Sequence, residues 1–546
     1  MEERVKRPLN LLLAITFVFA SSILGFSSAT DVYITPNGSS QGVCTTSPQT
    51  PAWFNSASNW GSGSNQIGPG TTVTICGTFT GAAGSTEFTF QGNGTSGSPI
   101  TLLFDTSAQL NAPYWAASSG GAGCGGAICM YNRSYITVDG GSNGLIQNTA
   151  NGDGLGNQRD SEAIEASSCN SCTIQNLSIQ NVYVHPANGT GSIDQTQMRC
   201  ISFSGSNWNI KNNTMHDVGW CLFQAYKNGD TNTTISGNNI YNFDHGWMLA
   251  TSSANSYTNA FFHDNQVHDT AAWDASGCPY HHDGIHTFGT NGSSMSGIYV
   301  YNNYFYGNWG TCPTGFVFVE GGASSTPSHM QSSGWWNNVA IVNTASPIVN
   351  TNGWVDIASG ESGSQYVFSN TIIGPNNSDN TLCIGMQGLS GLTFEGNTVN
   401  NCGDPVGISS SHLVAVDYNF YGTSCGNGNN CFIWNGAFTG SFTSWKAASA
   451  SDSHAVHSMT PLLNADGSPQ SGSPTIQQGV NLSSLATGIL ASLADDTDRG
   501  DTRTPVSRPA GTCSAQGSPS CWDLGAYQYA SSQQPPAPTG LTAVVH

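Results

Sequence analysis

TIQNLSI (173–179), NIKNNTM (209–215), TISGNNI (234–240), FFHDNQV (261–267), YVYNNYF (299–305), YVFSNTI (366–372) and LTFEGNTV (392–399) share one register. In each, an aliphatic or aromatic residue is followed three positions later by a fixed slot, and two positions further on by another apolar residue. Asn213, Asn238, Asn265, Asn303, Asn370 and Asn397 hold the slot, at separations of 25, 27, 38, 67 and 27 residues. The longest step spans an intervening rung at 336–341, where Val339 is read in the slot. A second register, Gly followed by an apolar run, alternates with the first: GWCLF (219–223), GWMLA (246–250), GIHTF (284–288), GFVFV (315–319) and GWVDI (353–357).

Repetition at one coil per period means that each unit buries its apolar side only by stacking on its neighbours. Each coil supplies at least two short strands joined by polar turns, so stacked coils pair their strands in parallel. The Asn column follows from the same stacking, because side-chain amides at one turn of successive rungs hydrogen-bond one another. These Asn residues are therefore assigned a structural role and no chemistry. A propeller needs four strands per repeat, and a helical solenoid needs 3.6-periodic apolar faces that are absent. The expected fold is all-β, a single-stranded right-handed parallel β-helix, or solenoid.

Composition is uniform from Asp31 to about Tyr529, with 66 Gly and few charges, so one long domain is expected. Ahead of it, Arg4, Lys6 and Arg7 precede an apolar run from Leu9 to Phe26 that ends in small residues near Ser28 and Ala29. That run is 18 residues long, short of the roughly 20 that a spanning helix needs, and reads as a signal peptide at 1–29. The expected layout continues with an N-terminal cap and first coils at 30–130, central coils at 131–460 and a closing segment at 461–530. Residues 531–546 hold the Pro-rich SSQQPPAP and then TGLTAVVH, which resembles the opening strand of a fibronectin type III module.

Lys and Arg total 12 against 32 Asp and Glu, and removing the leader's three basic and two acidic residues gives a net charge of −21. Such a field repels nucleic acid and anionic membranes. It disfavours a polyanionic substrate unless a cation such as Ca²⁺ bridges the two, so neutral glycans stay in play and no cofactor is fixed beyond that Ca²⁺ option. Nothing in the pattern calls for an oligomer, and a secreted, extracellular monomer is expected. Sixteen cysteines in an exported chain point to disulfides. Near-neighbour spacing suggests the pairs 44/76, 124/129, 169/172, 200/221, 278/312, 383/402, 425/431 and 513/521.

DVYITPNGSS (31–40), TTVTICGTFTG (71–81) and SGSPITLLFDTSAQL (96–110) resemble the first coils of the pectate-lyase-like right-handed β-helix superfamily. GSPTIQQGVNL (472–482), DDTDRGDTRTP (495–505) and WDLGAYQY (522–529) are similar to the closing segments of its secreted bacterial members. The resemblance implies a fold that hosts polysaccharide lyases, glycoside hydrolases, epimerases and non-catalytic adhesins.

Ionisable side chains crowd one region: His263-Asp264, His268-Asp269, Asp274 and PYHHDGIHTFG (279–289). The Gly register places His245, Asp283 and Thr314 in one column, with Asp244 beside His245. The Asn register stacks His216, Tyr241, His268 and Tyr306. For hydrolysis, one carboxylic acid protonates the glycosidic oxygen while a second activates water or attacks the sugar; Asp283 with Asp244 or Glu320 is the candidate pair. For elimination, His282 or His286 is the candidate base, and Arg199 one of few cations able to hold a substrate carboxylate. HHDGIH resembles the stretch around one catalytic Asp of the polygalacturonases, which maps that role onto Asp283, although the paired Asp, Gly-His-Gly and Arg-Ile-Lys of that family have no counterpart here.

Trp273, Tyr280 and Trp309, in loops beside the cluster, are candidate stacking surfaces for sugar rings, with His268 nearby as a binding residue. Trp220 and Trp247 follow Gly at equivalent positions and are read as core. A zinc site built from His281, His282, His286 and Asp283 and a hard-cation site built from Asp and Asn are both open, so the metal is not assigned. Two function classes survive: an enzyme acting on extracellular polysaccharide, as hydrolase or lyase, and a non-catalytic adhesive or structural β-helix protein. They differ in whether Asp283, a histidine and a second carboxylate converge.

Overall fold

A computed structural model describes residues 28–118, 124–187, 189, 195–279, 281–289, 292–320, 329–341, 355–357, 362–376, 382–424 and 431–529. Strands stack in three columns, and the strand ladders between successive coils are parallel among the described residues. The first column runs from Asp31–Ile34 and Thr72–Ile75 through Trp208–Lys211, Asp230–Ser236 and Ser256–His263 to Ser294–Tyr301 and beyond. The second includes Ser178–Gln180, Gln266–His268 and Tyr304–Tyr306. The third runs through Ser161–Ala166, Met198–Phe203, the later parts of Thr214–Ala225 and Asn239–Thr251, then His282–Gly289 and Pro313–Glu320. This is the expected parallel β-helix, and the crossover rule for parallel strands gives it a right-handed sense.

Alternation along each strand fills the interior with one apolar residue per coil. Val73, Leu102, Val138, Ile174, Ile210, Ile235, Phe262, Val300, Trp335, Val367 and Phe394 form one such stack, all buried and in register. At the N-terminal end, Phe54 packs edge-on against Trp60, Phe88 and Phe90. At the other end, the helix Phe442–Ser449 lays Trp445 on Phe432, so neither group of coils leaves its apolar edge bare.

The turn between the first two columns carries the amide ladder. Each Asn Oδ1 accepts from the backbone N–H and the Nδ2 of the Asn one coil earlier, at 2.9 to 3.1 Å, from Asn213 through Asn238, Asn265 and Asn303. The rung at 336–341 corrects the register by one residue: Asn338, not Val339, holds the slot and links Asn303 to Asn370. The ladder continues to Asn419 and ends on the buried Asp452, which also accepts from Tyr421 and Trp445.

Disulfides join 44–76, 124–129, 169–172, 278–312, 383–402 and 513–521 as expected. Cys425 lies outside the described residues. Cys200 and Cys221 do not follow the sequential pairing. They are buried free thiols, one directly above the other on adjacent coils, and they hydrogen-bond instead. Among the described residues, no helix is long and apolar enough to cross a membrane.

The segment from Leu482 to Tyr527 runs back along the outside of the ladder as a strap rather than capping the end. Ala526 N–H donates to Thr371 Oγ1, Arg508 Nη2 donates to Asn337 Oδ1, and Gly500 N–H donates to Asn302 O. On its inner side Asp498 meets Asp264 and Asp501. Burial, and then the Asp264 charge, raise the Asp498 carboxyl to about 8. A folded pKa above the unfolded value near 3.8 means that the fold prefers the protonated group, so this contribution is fully present below that value and is lost as pH rises to about 8. Asp498→Asn is therefore expected to raise Tm by about 2 °C at about pH 9 and to change nothing at about pH 3, as read by calorimetry at both pH values. Equal shifts at the two pH values would contradict the assignment.

Candidate active site

Register across the third column sets one outward line of side chains: Glu162, Arg199, Trp220, His245 and Asp283, each directly above the next. Successive coils lie about 4.8 Å apart, so neighbours in this line touch. Gly246 and Gly284 stack at the bend beside it, where a Cβ on Gly246 would meet Gly284 O at 2.5 Å. That closeness brings His245 onto Asp283.

Asp283 is the hub. Its Oδ2 lies 3.3 Å from His245 Nε2, 3.6 Å from His281 Nε2 and 3.4 Å from His286 Nδ1. Asp283 is fully buried, and neither of its oxygens nor His245 Nε2 reaches hydrogen-bonding geometry. The His281 side chain is 51 % exposed and forms the solvent side of the cluster.

Behind the cluster runs a chain of buried groups. His245 Nδ1 lies 2.6 Å from Asp244 Oδ2, the other oxygen of Asp244 lies 3.1 Å from His282 Nδ1, and His282 Nε2 lies 3.1 Å from Asp274 Oδ1. Asp274 also accepts the Thr311 and Cys312 N–H groups and lines an open cleft with Gly189, Ser276, Gly277 and Pro279. The Cys278–Cys312 bond holds this loop to the next coil.

Burial works against ionisation of Asp244, yet the two imidazoles hold its carboxyl well below the usual range. Burial likewise opposes charge on His245, but Asp244 and then Asp283 raise it to about 10. His282 is raised against burial by Asp244 and Asp274. His281 goes the other way, lowered by burial and by the charge on His245. At neutral pH the cluster thus sets a buried imidazolium, His245, beside a neutral and accessible imidazole, His281. Environments that push like groups apart in this way are characteristic of acid and base assignments.

Several sequence expectations are redirected. His282 faces Asp244 and Asp274, away from the Asp283 hub, so the metal-type cluster contains His245 in its place. Thr314 drops out of the column because the chain bulges at His282/Asp283, pairing Asp283 with Gly315. Glu320 pairs with Phe288, five residues along the strand from Asp283, or about 16 Å, and so is not the partner carboxylate. Asp244 is enclosed by two imidazoles and orients them.

Arg199 is buried against Glu162 at 3.2 Å with its guanidinium on the Phe223 ring. Trp273 is buried and stacked on His185, and Trp309 is buried against Phe316, so neither presents a face to a sugar. Tyr280 lies outside the described residues. His268 stacks between Tyr241 and Tyr306 in the second column, a ring ladder apart from the hub.

Trp220, read as core, is the aromatic residue above His245, with ring centroids 5.5 Å apart, while Trp247 is interior on Phe262. The Asn offset of 25 residues between those two coils, carried through the strand, puts Trp220 over His245, a signal that the shared Gly-Trp pair masks. Glu162, at the head of the line, and Glu165, three residues further along the same strand, are both bound by the Ser118 hydroxyl. Burial and then Glu165 raise Glu162 to about 7.

Ca²⁺ prefers six to eight oxygen donors, and the histidine-rich hub does not offer them.

No protein-family model and no curated protein matches the chain. Among solved structures it is similar to a lacto-N-biosidase of Eubacterium ramulus, with TM-score 0.36 and 9 % identity over 74 % of this chain and 67 % of that one. A polysaccharide lyase of Pseudopedobacter saltans gives TM-score 0.32 and 11 % identity over 78 % and 91 %, and a pectate lyase 0.26 and 14 % over 92 % and 97 %. Likenesses this distant carry no weight for function. The chain has a parallel β-helix architecture, and that assignment rests on its own strand register.

Proposed function

We propose that this protein is a secreted enzyme acting on extracellular polysaccharide, working as a monomer without nucleic acid or membrane, with Asp283 and its three histidines as the reactive centre. The observation that carries the proposal is the state of Asp283: a fully buried carboxylate within 3.6 Å of three imidazole nitrogens, with its oxygens outside hydrogen-bonding geometry. A scaffold position satisfies its buried charges, and a group left under-bonded inside a protein is a mark of function. Trp220 on the coil above offers an aromatic face beside the centre.

Elimination suits this geometry better than double-carboxylate hydrolysis. Asp244 is locked between His245 and His282, and Glu320 is far along its strand. His281 can take the proton from the sugar carbon beside the substrate carboxylate, the C–O bond at the next carbon then breaks to form the double bond, the leaving oxygen takes a proton from solvent, and the positive charge of the buried His245 favours the carboxylate from within the cluster. A local cation also answers the repulsion between a polyanionic glycan and a chain of net charge −21 after leader removal.

The test is incubation of the purified protein with acidic and neutral polysaccharides, reading new reducing ends and unsaturated-sugar absorbance together. Both signals from an acidic glycan are the expected result. Reducing ends without absorbance would replace elimination by hydrolysis, and no product from any glycan would favour the adhesive reading.

A further inference from the structure

We infer that His245 Nε2, Asp283 Oδ2 and His286 Nδ1 form a binding site for one divalent metal ion of the zinc class, with its open position facing His281 and solvent. The inference rests on the reading of this cluster as the functional centre and names the cation that the centre would use.

Three observations carry it. Zinc bonds imidazole nitrogen and carboxylate oxygen at about 2.0 to 2.2 Å, so two ligand atoms of a tetrahedral site stand roughly 3.3 to 3.5 Å apart. His245 Nε2 and His286 Nδ1 stand 3.3 and 3.4 Å from Asp283 Oδ2. Those separations match the edge of a metal tetrahedron and are long for direct hydrogen bonds.

Second, the His245 and Asp283 atoms are buried and without hydrogen bonds, and all the cluster's ligand atoms lie within 4.8 Å of one another. A cation there would satisfy both.

Third, the outer partner is in place. His245 binds through Nε2 while its Nδ1 lies 2.6 Å from Asp244, and Asp244 is tied in turn to His282 and Asp274. This carboxylate–histidine arrangement fixes the tautomer and ring orientation that a metal-ligating His needs. His281, 51 % exposed and 3.6 Å from Asp283 Oδ2, stands at a side open to solvent. Three protein ligands with an accessible fourth position are the pattern of a catalytic rather than a closed structural zinc site. The ion would take the place of the proton on His245 and supply the positive charge that holds a substrate carboxylate.

The test is calorimetric titration of the chelator-stripped, purified protein with Zn²⁺ alone, alongside Co²⁺ absorption spectra. The expected result is one Zn²⁺ per chain, a visible Co²⁺ spectrum of tetrahedral intensity, and no displacement by excess Ca²⁺. Asp244→Asn should weaken Zn²⁺ binding about 10- to 100-fold through the lost outer partner. Asp283→Asn and His286→Asn, each checked for retained circular dichroism, should weaken it more than that, and His281→Ala less. Absence of a one-to-one site in the parent protein, displacement by Ca²⁺, or binding unchanged in Asp283→Asn would overturn the inference. Because the readout needs no glycan, a metal-free protein that still cleaves polysaccharide would remove the metal and leave the proposed function standing. A zinc-binding protein that cleaves nothing would do the reverse.

Discussion

Asn265→Ala is expected to lower the unfolding free energy by about 4 kcal/mol, the largest effect of any single substitution in the ladder's middle. Asn265 is fully buried, and its Oδ1 accepts from Asn238 N–H and Nδ2 while its Nδ2 donates to Ile235 O and Asn303 Oδ1. Alanine leaves two donors and two acceptors without these partners in a place water does not reach. Each such group costs roughly 1 to 3 kcal/mol, and partial relaxation brings the sum toward the lower end. The loss also exceeds a simple cavity term, because polar groups rather than methylenes lose contact. Urea unfolding of parent and variant, compared at unchanged m-value, measures it. A loss below about 1 kcal/mol would mean that the amide column is ornamental to stability.

The second large effect is expected at Asp244. Removing one member of a buried charged set costs about 3 to 5 kcal/mol, because it strands the partner charge. Asp244→Ala strands two imidazoles, His245 and His282, both fully buried. His245 then loses the leading cause of its raised pKa, so its value falls from about 10. With the proton-favouring partner gone, the stability that the charged His245 contributes at neutral pH disappears, and the gap between parent and variant should narrow as pH rises from about 6.5 through about 10. Asp244→Asn keeps the volume and should fold better, yet lose activity by about 10- to 100-fold, because the amide cannot hold the His245 tautomer in the same way. Thermal unfolding and turnover measured together separate the two effects. A fully active, fully stable Asp244→Ala protein would contradict the account of a buried orienting chain.

The fold was legible because a solenoid repeats one local problem. Asn fills the buried slot on coil after coil from Asn213 on, recurring at Asn238, Asn265 and Asn303 whatever the loops between them do. The misread rung shows the limit. Asn337 and Asn338 adjoin, and only the left-handed backbone of Asn337 decides that Asn338 is the one turned inward.

The site was half legible for a related reason. Asp283 beneath His245 follows from column stacking, but the side of the wall on which each of two adjacent histidines falls does not. His281 and His282 part company at the bulge beside Asp283, one toward solvent and one into the Asp244 chain. Strand alternation cannot be read through a bulge or through the Gly246/Gly284 bend. The sugar-stacking candidates Trp273 and Trp309 are not surface residues, because Trp273 packs on Tyr183 and His185 and Trp309 on Phe243 and Phe316.

The most direct test of the central claim, that the Asp283 cluster is a working site rather than scaffold, is to measure Tm and polysaccharide turnover on one preparation of Asp283→Asn. Asparagine keeps the volume of Asp283, whose oxygens have no hydrogen bond to lose, and His245 keeps its Asp244 partner, so Tm should hold, whereas turnover should fall on the order of 10³-fold. Turnover within about threefold of the parent, together with a fall in Tm of the size expected for Asn265→Ala, would show that Asp283 serves the scaffold and would contradict the account.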